Sequence, residues 1–341
     1  MATEPAVAHP DAMRVVVFSS KPHDRAFLGA ANAGRHDLIF QEARLLPESA
    51  PLAAGAEAIC LFVHDHADAD VMATLAKLGV RHIALRCAGF NNIDLAAAAK
   101  HGITVARVPA YSPHGVAEHA VALFLTLNRR VHRAYNRVRD GDFSLDGLLG
   151  ADVHGKTVGV LGTGKIGLCF AQIMRGFGCR VLAYDVARNP AAESLGVEYT
   201  SLDRLFAESH VISLHCPLTP QTKHVINREA LGRMRDGVVL INTGRGPLIN
   251  TGAVIAALKS GKLGALALDV YEEEEGVFYE DHSSGILADD QLARLLSFPN
   301  VLVTSHQAFF TREAVTAIAA TTVANLDDFT AGRPCPNALK A

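Results

Sequence analysis

KTVGVLGTGKIG (156–167) sets an apolar run, the triplet Gly162-x-Gly164-x-x-Gly167 and the opening of a helix in immediate succession. The glycines serve separate ends. The first permits a tight turn, the second lets backbone approach a pyrophosphate, and the third lets the helix pack close to the strand. A helix starting at such a turn aims free N–H groups and a partial positive charge at the phosphates. The triplet alone is weak. It is strengthened by RVLAYD (180–185), a second strand ending on Asp185 at the spacing expected for an acid on the ribose hydroxyls. A carboxylate there also repels a 2′-phosphate, so the expected cofactor is NAD rather than NADP. A glycine turn with no ligand would have no use for that acid.

The alternation of strand and helix continues downstream. Apolar runs at 157–161, 180–184, 211–214, 238–242, 265–269 and 301–304 are separated by helix-like segments, two of them closing at Gly237 and Gly261. Six such strands make one complete doubly wound sheet. Upstream, RVVVFSS (14–20), AEAICLFV (56–63), RHIALRC (81–87) and ITVARV (103–108) read as four more buried strands, with helices over 70–78 and 93–100. Runs that barely alternate in polarity imply parallel strands covered on both faces. PHGVAEHAVALFLTLNRRVHRAYNRVR (113–139) reads as one long helix joining the two α/β runs, with part of its apolar face left for a subunit contact. Residues 141–150 read as a turn-rich linker, and 313–329 as a helix with no strand to follow, returning to the first domain. The expected fold is α/β, with two doubly wound parallel-sheet domains: residues 1–110 plus 309–341, and residues 111–308. A chain of 341 residues is long enough for both.

Ligands of parallel sheets bind beyond the C-terminal ends of the strands, and three segments there carry reactive groups. INTGRG (241–246) sets Arg245 between glycines, DVYEEEE (269–275) gathers carboxylates past a strand end, and SHQAFF (305–310) puts His306 directly after the last strand. Besides hydride, reduction of a 2-keto acid needs a fork of N–H donors for the carboxylate. It also needs a proton donor working near neutral pH, and a carboxylate to hold and charge that donor. Arg245, His306 and one glutamate of the acidic run supply all three. The rest of that run, Glu272, Glu273 and Glu275, reads as an ordinary solvated face.

With these groups in view, the chain resembles the D-isomer-specific 2-hydroxyacid dehydrogenase family over nearly its whole length. The resemblance rests on RCAGFNNIDL (86–95), VPAYSPHGVAEHA (108–120), GKTVGVLGTGKIG (155–167), HVISLHCPLTPQT (210–222), LINTGRGPLIN (240–250), LDVYEEE (268–274) and SHQAFFTREA (305–314). It implies that Arg245 holds the substrate carboxylate, that His306 is the acid/base and that Glu274 is the carboxylate paired to it. It implies substrate contacts at Ala88, Gly89 and Tyr111; for Tyr111 the alternative is a packing residue at the domain junction. Gly162, Gly164, Lys165, Ile166, Gly167, Asp185, Cys216, Pro217, Thr222, Thr243, Gly244, Arg245 and Asp269 match NAD-contacting positions, with Asp269 near the nicotinamide. A flavodoxin-like catalytic domain, a Rossmann NAD-binding domain, a cleft between them and a homodimer or homotetramer are also implied. Glycerate and phosphoglycerate members carry a proline directly after the paired glutamate. Here Glu275, Gly276 and VFYEDHS (277–283) follow, as in the D-lactate branch. The implied reaction is therefore pyruvate with NADH to D-lactate. The alternatives are a dehydrogenase for a bulkier 2-keto acid, and an NAD-sensing corepressor-like binding protein of the same fold.

Composition excludes other classes. With 32 Lys and Arg against 35 Asp and Glu and no basic stripe, neither nucleic acid nor an anionic membrane is an expected partner. The longest apolar runs are too short to span a bilayer, and residues 1–11 lack the basic-then-apolar order of a signal peptide. Six cysteines without a CxxC pair point to a reducing cytoplasm. HDHADAD (64–70) invites a metal reading, but its ligands would have to converge from one short loop. A strand end followed by a helix capped by Asp68 or Asp70 is expected instead, and no metal. His114 and His119 are expected at an interface or in solvent.

Overall fold

Alternation along the first strand, β1 (Arg14–Val17), shows why its run is apolar throughout. Val15 and Val17 enter one buried cluster with Leu28, Ala319 and Phe329, while Val16 and Phe18 enter the opposite one with Ile59, Leu75 and Ile83. Successive side chains of a strand point to opposite faces, so a strand covered on both sides needs apolar residues at every position. The computed structural model describes residues 12–340, and the reading of 1–11 as free of a targeting signal lies outside them. Two units are distinguished: one runs to Ser112 and resumes at Thr311, and the other is Pro113–Phe310.

The first unit continues from β1 through α1 (Pro22–Asn32), β2 (Asp37–Phe40), β3 (Ala58–Leu61), α2 (Ala69–Lys77), β4 (His82–Leu85), α3 (Leu95–Lys100) and β5 (Thr104–Ala106). Its strands lie in the order β2-β1-β3-β4-β5, all parallel. The helix Arg312–Thr330 completes this unit, packing on α1 and β4. Two elements, α1 and β2, have no counterpart in the expected pattern. Only Asp24, Leu28 and Asn32 of α1 are buried, and β2 is a four-residue edge strand with no fully buried position, so neither produces an apolar run. Asp68 caps α2, accepting from the N–H groups of Asp70 and Val71. Asp65 is fully buried and accepts from Ser19 Oγ and from the N–H groups of Leu45 and Phe62. Among the described residues no three His, Cys, Asp or Glu side chains are grouped to hold a metal.

The second unit opens with α4 (Pro113–Asn128) and α5 (Val131–Arg139). The expected single helix is thus two. Arg130, between them, takes a φ of 53°, and Asn128 bonds Ala151 through its side chain, donating to the carbonyl and accepting from the N–H. Those bonds draw the 150–151 segment onto the end of α4. α4 packs on α6 (Lys165–Gly176), while α5 buries none of its residues. The sheet is built from β6 (Thr157–Leu161), β7 (Arg180–Tyr184), β8 (Glu198–Tyr199), β9 (Val211–Leu214), β10 (Val238–Asn242), β11 (Leu263–Leu268) and β12 (Val301–Val303). Its order is β12-β11-β10-β9-β6-β7-β8, all parallel, with the reversal of direction at β6. The six expected strands are all present; β8 is a two-residue edge addition. The covering helices are α6, α7 (Pro190–Ser194), α8 (Leu202–Glu208), α9 (Arg228–Arg233), α10 (Thr251–Ser260) and α11 (Asp290–Leu296), and the returning helix Arg312–Thr330 is α12. No helix among the described residues is long and apolar enough to cross a membrane.

Candidate active site

The glycine loop between β6 and α6 is held open by sterics. Gly162 has a φ of +93°, and a Cβ at Gly167 would sit 1.9 Å from the Gly162 carbonyl oxygen, so helix and turn touch backbone to backbone. Most side chains cannot follow a positive φ without strain. Gly164 caps α6 without a side-chain hydrogen bond, so the first N–H groups of that helix are left to a ligand. Asp185, just past β7, accepts from the Thr163 N–H at 2.6 Å and from Thr163 Oγ1 at 3.1 Å. Arg188, the nearest cation in sequence, is occupied with Glu193 and lies over the Tyr199 ring. Lys165 and Ile166 open α6.

Further along the sheet, Cys216 and Pro217 follow β9, and burial pushes the Cys216 thiol up to about 11. Thr222 ties this loop down, its hydroxyl donating to the Pro217 carbonyl at 2.7 Å. Thr243 and Gly244 follow β10. The Thr243 hydroxyl is buried and has no hydrogen-bond partner among the described residues. A buried hydroxyl is rarely left unpaired in the absence of a ligand. The side-chain-free cradle, the uncapped helix and this orphan hydroxyl all fit a bound dinucleotide.

Arg245, Asp269 and His306 come from loops after β10, β11 and β12, three strands that pair side by side. Asn242 shapes the first loop, accepting from the Gly244 N–H and donating to the Arg245 carbonyl. A Cβ at Gly246 would fall 1.8 Å from the Tyr271 carbonyl oxygen, so only glycine fits behind the arginine. His306 Nδ1 lies 2.9 Å from Glu274 Oε1, and the other oxygen of Glu274 accepts from the Tyr271 N–H at 3.0 Å. With Nδ1 so engaged, Nε2 is the ring atom available to a substrate.

Asp269 is wholly buried and grips the loop that carries His306. It accepts from Thr304 Oγ1 at 2.6 Å and from the N–H groups of Gln307 and Ala308 at 2.9 Å. Burial alone would raise this carboxyl, but bonds from His119, Thr304 and Ala308 hold it below the usual carboxylate range.

Two expectations change. His119, expected at an interface or in solvent, sits behind this loop, 3.4 Å from Asp269 and 3.2 Å from Thr304 Oγ1. Its position on α4 follows from that helix packing against β11 and β12. Glu272, expected on a solvated face, turns inward to pair with His224 and to accept from the Thr251 N–H and hydroxyl. Thr251 opens α10, so the carboxylate meets the positive end of a helix. Glu273 and Glu275 are exposed. Ala88, Gly89 and Tyr111 belong to the first unit, in the loops after β4 and β5.

The family model for the NAD binding domain of D-isomer specific 2-hydroxyacid dehydrogenases matches residues 121–308. The 2-hydroxyacid dehydrogenase A of Aspergillus oryzae is 54% identical over 331 residues, covering 96% of this chain and 95% of that protein. The D-lactate dehydrogenase of Escherichia coli is 50% identical over 328 residues, covering 96% of this chain and all of that one. Among solved structures, the pyruvate reductase of Chlamydomonas reinhardtii is similar with a TM-score of 0.92 and 48% identity, over 96% of this chain and 99% of that one.

Proposed function

The chain belongs to the D-isomer-specific 2-hydroxyacid dehydrogenase family, and from that membership we propose that it interconverts pyruvate and D-lactate in the cytoplasm. The observation that carries the catalytic assignment is the His306–Glu274 pair, set at the same end of the sheet as Arg245 and the glycine loop. Gly162, Gly164, Gly167, Asp185 and Thr243 hold NAD, with Lys165, Ile166, Cys216, Pro217, Thr222 and Gly244 lining its path. The bound nicotinamide supplies the hydride in reduction and accepts it in oxidation. Arg245 offers two parallel N–H donors to the substrate carboxylate, fixing it against rotation. His306 Nε2 hands its proton to the carbonyl oxygen as that oxygen gains negative charge. Glu274 keeps Nδ1 protonated and aimed, so the proton leaves from Nε2 and the ring stays in register. In oxidation the same nitrogen takes the hydroxyl proton. By family resemblance, the first unit's own substrate contacts are the backbone N–H groups of Ala88 and Gly89, with Tyr111.

All six cysteines are free, as suits a reducing compartment. The protein works as a homo-oligomer built on α5 and the loop after it. Val131, Tyr135 and Val138 of α5 and Phe143, Leu145 and Leu149 of the loop are each at least half exposed, and no α5 residue is fully buried. Such a concentration of apolar side chains marks an interface, and a second copy supplies the matching apolar face. NADH oxidation with pyruvate, followed by chiral analysis of the lactate, tests the reaction. D-lactate is expected, and L-lactate or no turnover would overturn the reading.

A further inference from the structure

We propose that Arg107 is a positioning residue for substrate binding, acting through the peptide that joins Ala88 to Gly89. The proposal rests on the reading of that loop as a carboxylate-binding loop. Arg107 Nη1 donates to the Ala88 carbonyl at 2.8 Å, and its guanidinium lies over the Phe90 ring, 5.1 Å from the centroid. One side chain thus grips the loop at two points, on either side of Gly89.

The grip has a direction. In a trans peptide the carbonyl of one residue and the N–H of the next point to opposite sides of the chain. Holding the Ala88 carbonyl toward the guanidinium therefore turns the Gly89 N–H away from it, outward from the loop. Among the described residues neither the Ala88 nor the Gly89 N–H has an acceptor in the protein, so both remain for a ligand. A cation on the carbonyl also polarises the whole peptide and makes its N–H a stronger donor. Arg107 thereby brings positive charge to bear on a bound carboxylate without touching it.

The arginine is itself held by the returning end of the chain. Its N–H donates to the Asn337 carbonyl, and its carbonyl accepts from Asn325 Nδ2 at 3.1 Å. Asn325 is buried on α12, and its Oδ1 accepts from Asn337 Nδ2 at 2.8 Å. Arg86, before the loop, has a different role. It is buried, with Nε on Asp24 and Nη2 on the Ser19 carbonyl, and secures the strand end rather than the loop peptide.

The test compares three full-length proteins: wild type, Arg107→Lys, and Arg107→Met, which keeps the apolar stem but no donor. Pyruvate KM and the Ki of oxamate, a pyruvate isostere, are measured beside NADH affinity and kcat. The expected result is a rise of about tenfold in KM and Ki for Met, a smaller rise for Lys, and NADH affinity unchanged. Added guanidinium ion should recover part of the Met defect. If Met does not fold, a rise in KM for Lys at constant NADH affinity supports the proposal, and an unmoved KM overturns it. Unchanged KM and Ki in an active Met variant, or a parallel loss of NADH affinity, also overturns it. Wild-type protein that fails to turn over pyruvate at all would instead sink the functional reading on which the proposal stands.

Discussion

His306 holds a φ of +52°, a region that a side chain with a Cβ rarely occupies. Strain of this kind persists where neighbours over-determine the backbone. Here Asp269 holds the next two N–H groups and Tyr279 donates its hydroxyl to the His306 carbonyl. The ring is consequently aimed by backbone geometry as well as by Glu274. Arg245→Lys keeps charge but loses the fork, so kcat/KM for pyruvate should fall roughly 10²–10³-fold. NADH affinity, measured by fluorescence titration, should stay put; a loss confined to NADH would move Arg245 to the cofactor site. Asp185→Ser removes the carboxylate that opposes a 2′-phosphate. NAD should weaken and NADP improve, each by about 1–3 kcal/mol, and equal wild-type affinity for the two would refute the assignment. Arg245, His306 and the glycines are legible from sequence because each follows closely on an apolar strand and offers chemistry that a core does not need. Arg107 and His119 are not, since their partners lie far along the chain: His119 meets Thr304 across 185 positions. No local pattern reports such a meeting.

At the scale of elements, legibility followed burial. The six main strands of the second sheet are three to six residues long and largely apolar, and stand out, whereas β8, with two residues at an edge, leaves no trace. The break after α4 is equally silent, because it depends on Asn128 bonding a residue 23 positions away. Asp269 joins three elements, linking the end of β11 to the loop after β12 and to α4 through His119. Its folded-state pKa lies below the unfolded value, so its contribution to stability is present above about pH 3.9 and is lost as pH falls through the folded value. Asp269→Asn should therefore destabilise by about 1–3 kcal/mol at pH 7. The gap to wild type, followed by urea unfolding, should narrow as the pH is taken well below 4, where the wild-type carboxyl is also protonated. A gap that is constant across this range would mean the carboxylate charge contributes nothing. Catalysis should fall in the same variant, since the loop bearing His306 loses its clamp.

For the whole molecule, the question is what covers α5 and the loop behind it. A nine-residue helix is marginal in water unless one face is packed, and no residue of α5 is fully buried within its own chain. Its loop is nonetheless ordered: Arg137 bonds the Asp142 carboxylate at 2.9 Å and the Asp146 carbonyl at 2.7 Å, holding Phe143 and Leu145 out into solvent. A segment fixed so as to display apolar side chains is built for contact. In a twofold dimer each exposed side chain is buried on both copies, and burying one Leu or Phe is worth about 1.5–3 kcal/mol. Even a few such residues per copy can offset the entropy lost on association. Wild type should therefore sediment at twice the chain mass or more at micromolar concentration. Because the attraction is apolar, raising the salt should not dissociate it. Leu145→Asp with Leu149→Asp, both on the exposed loop and clear of the glycine loop and of His306, should shift the protein to monomer. NADH binding by that monomer should survive, because every residue assigned to the dinucleotide lies elsewhere in the second unit. A wild type that sediments as a monomer would overturn the homo-oligomer, and a double variant that dimerises as tightly as wild type would place the subunit contact elsewhere.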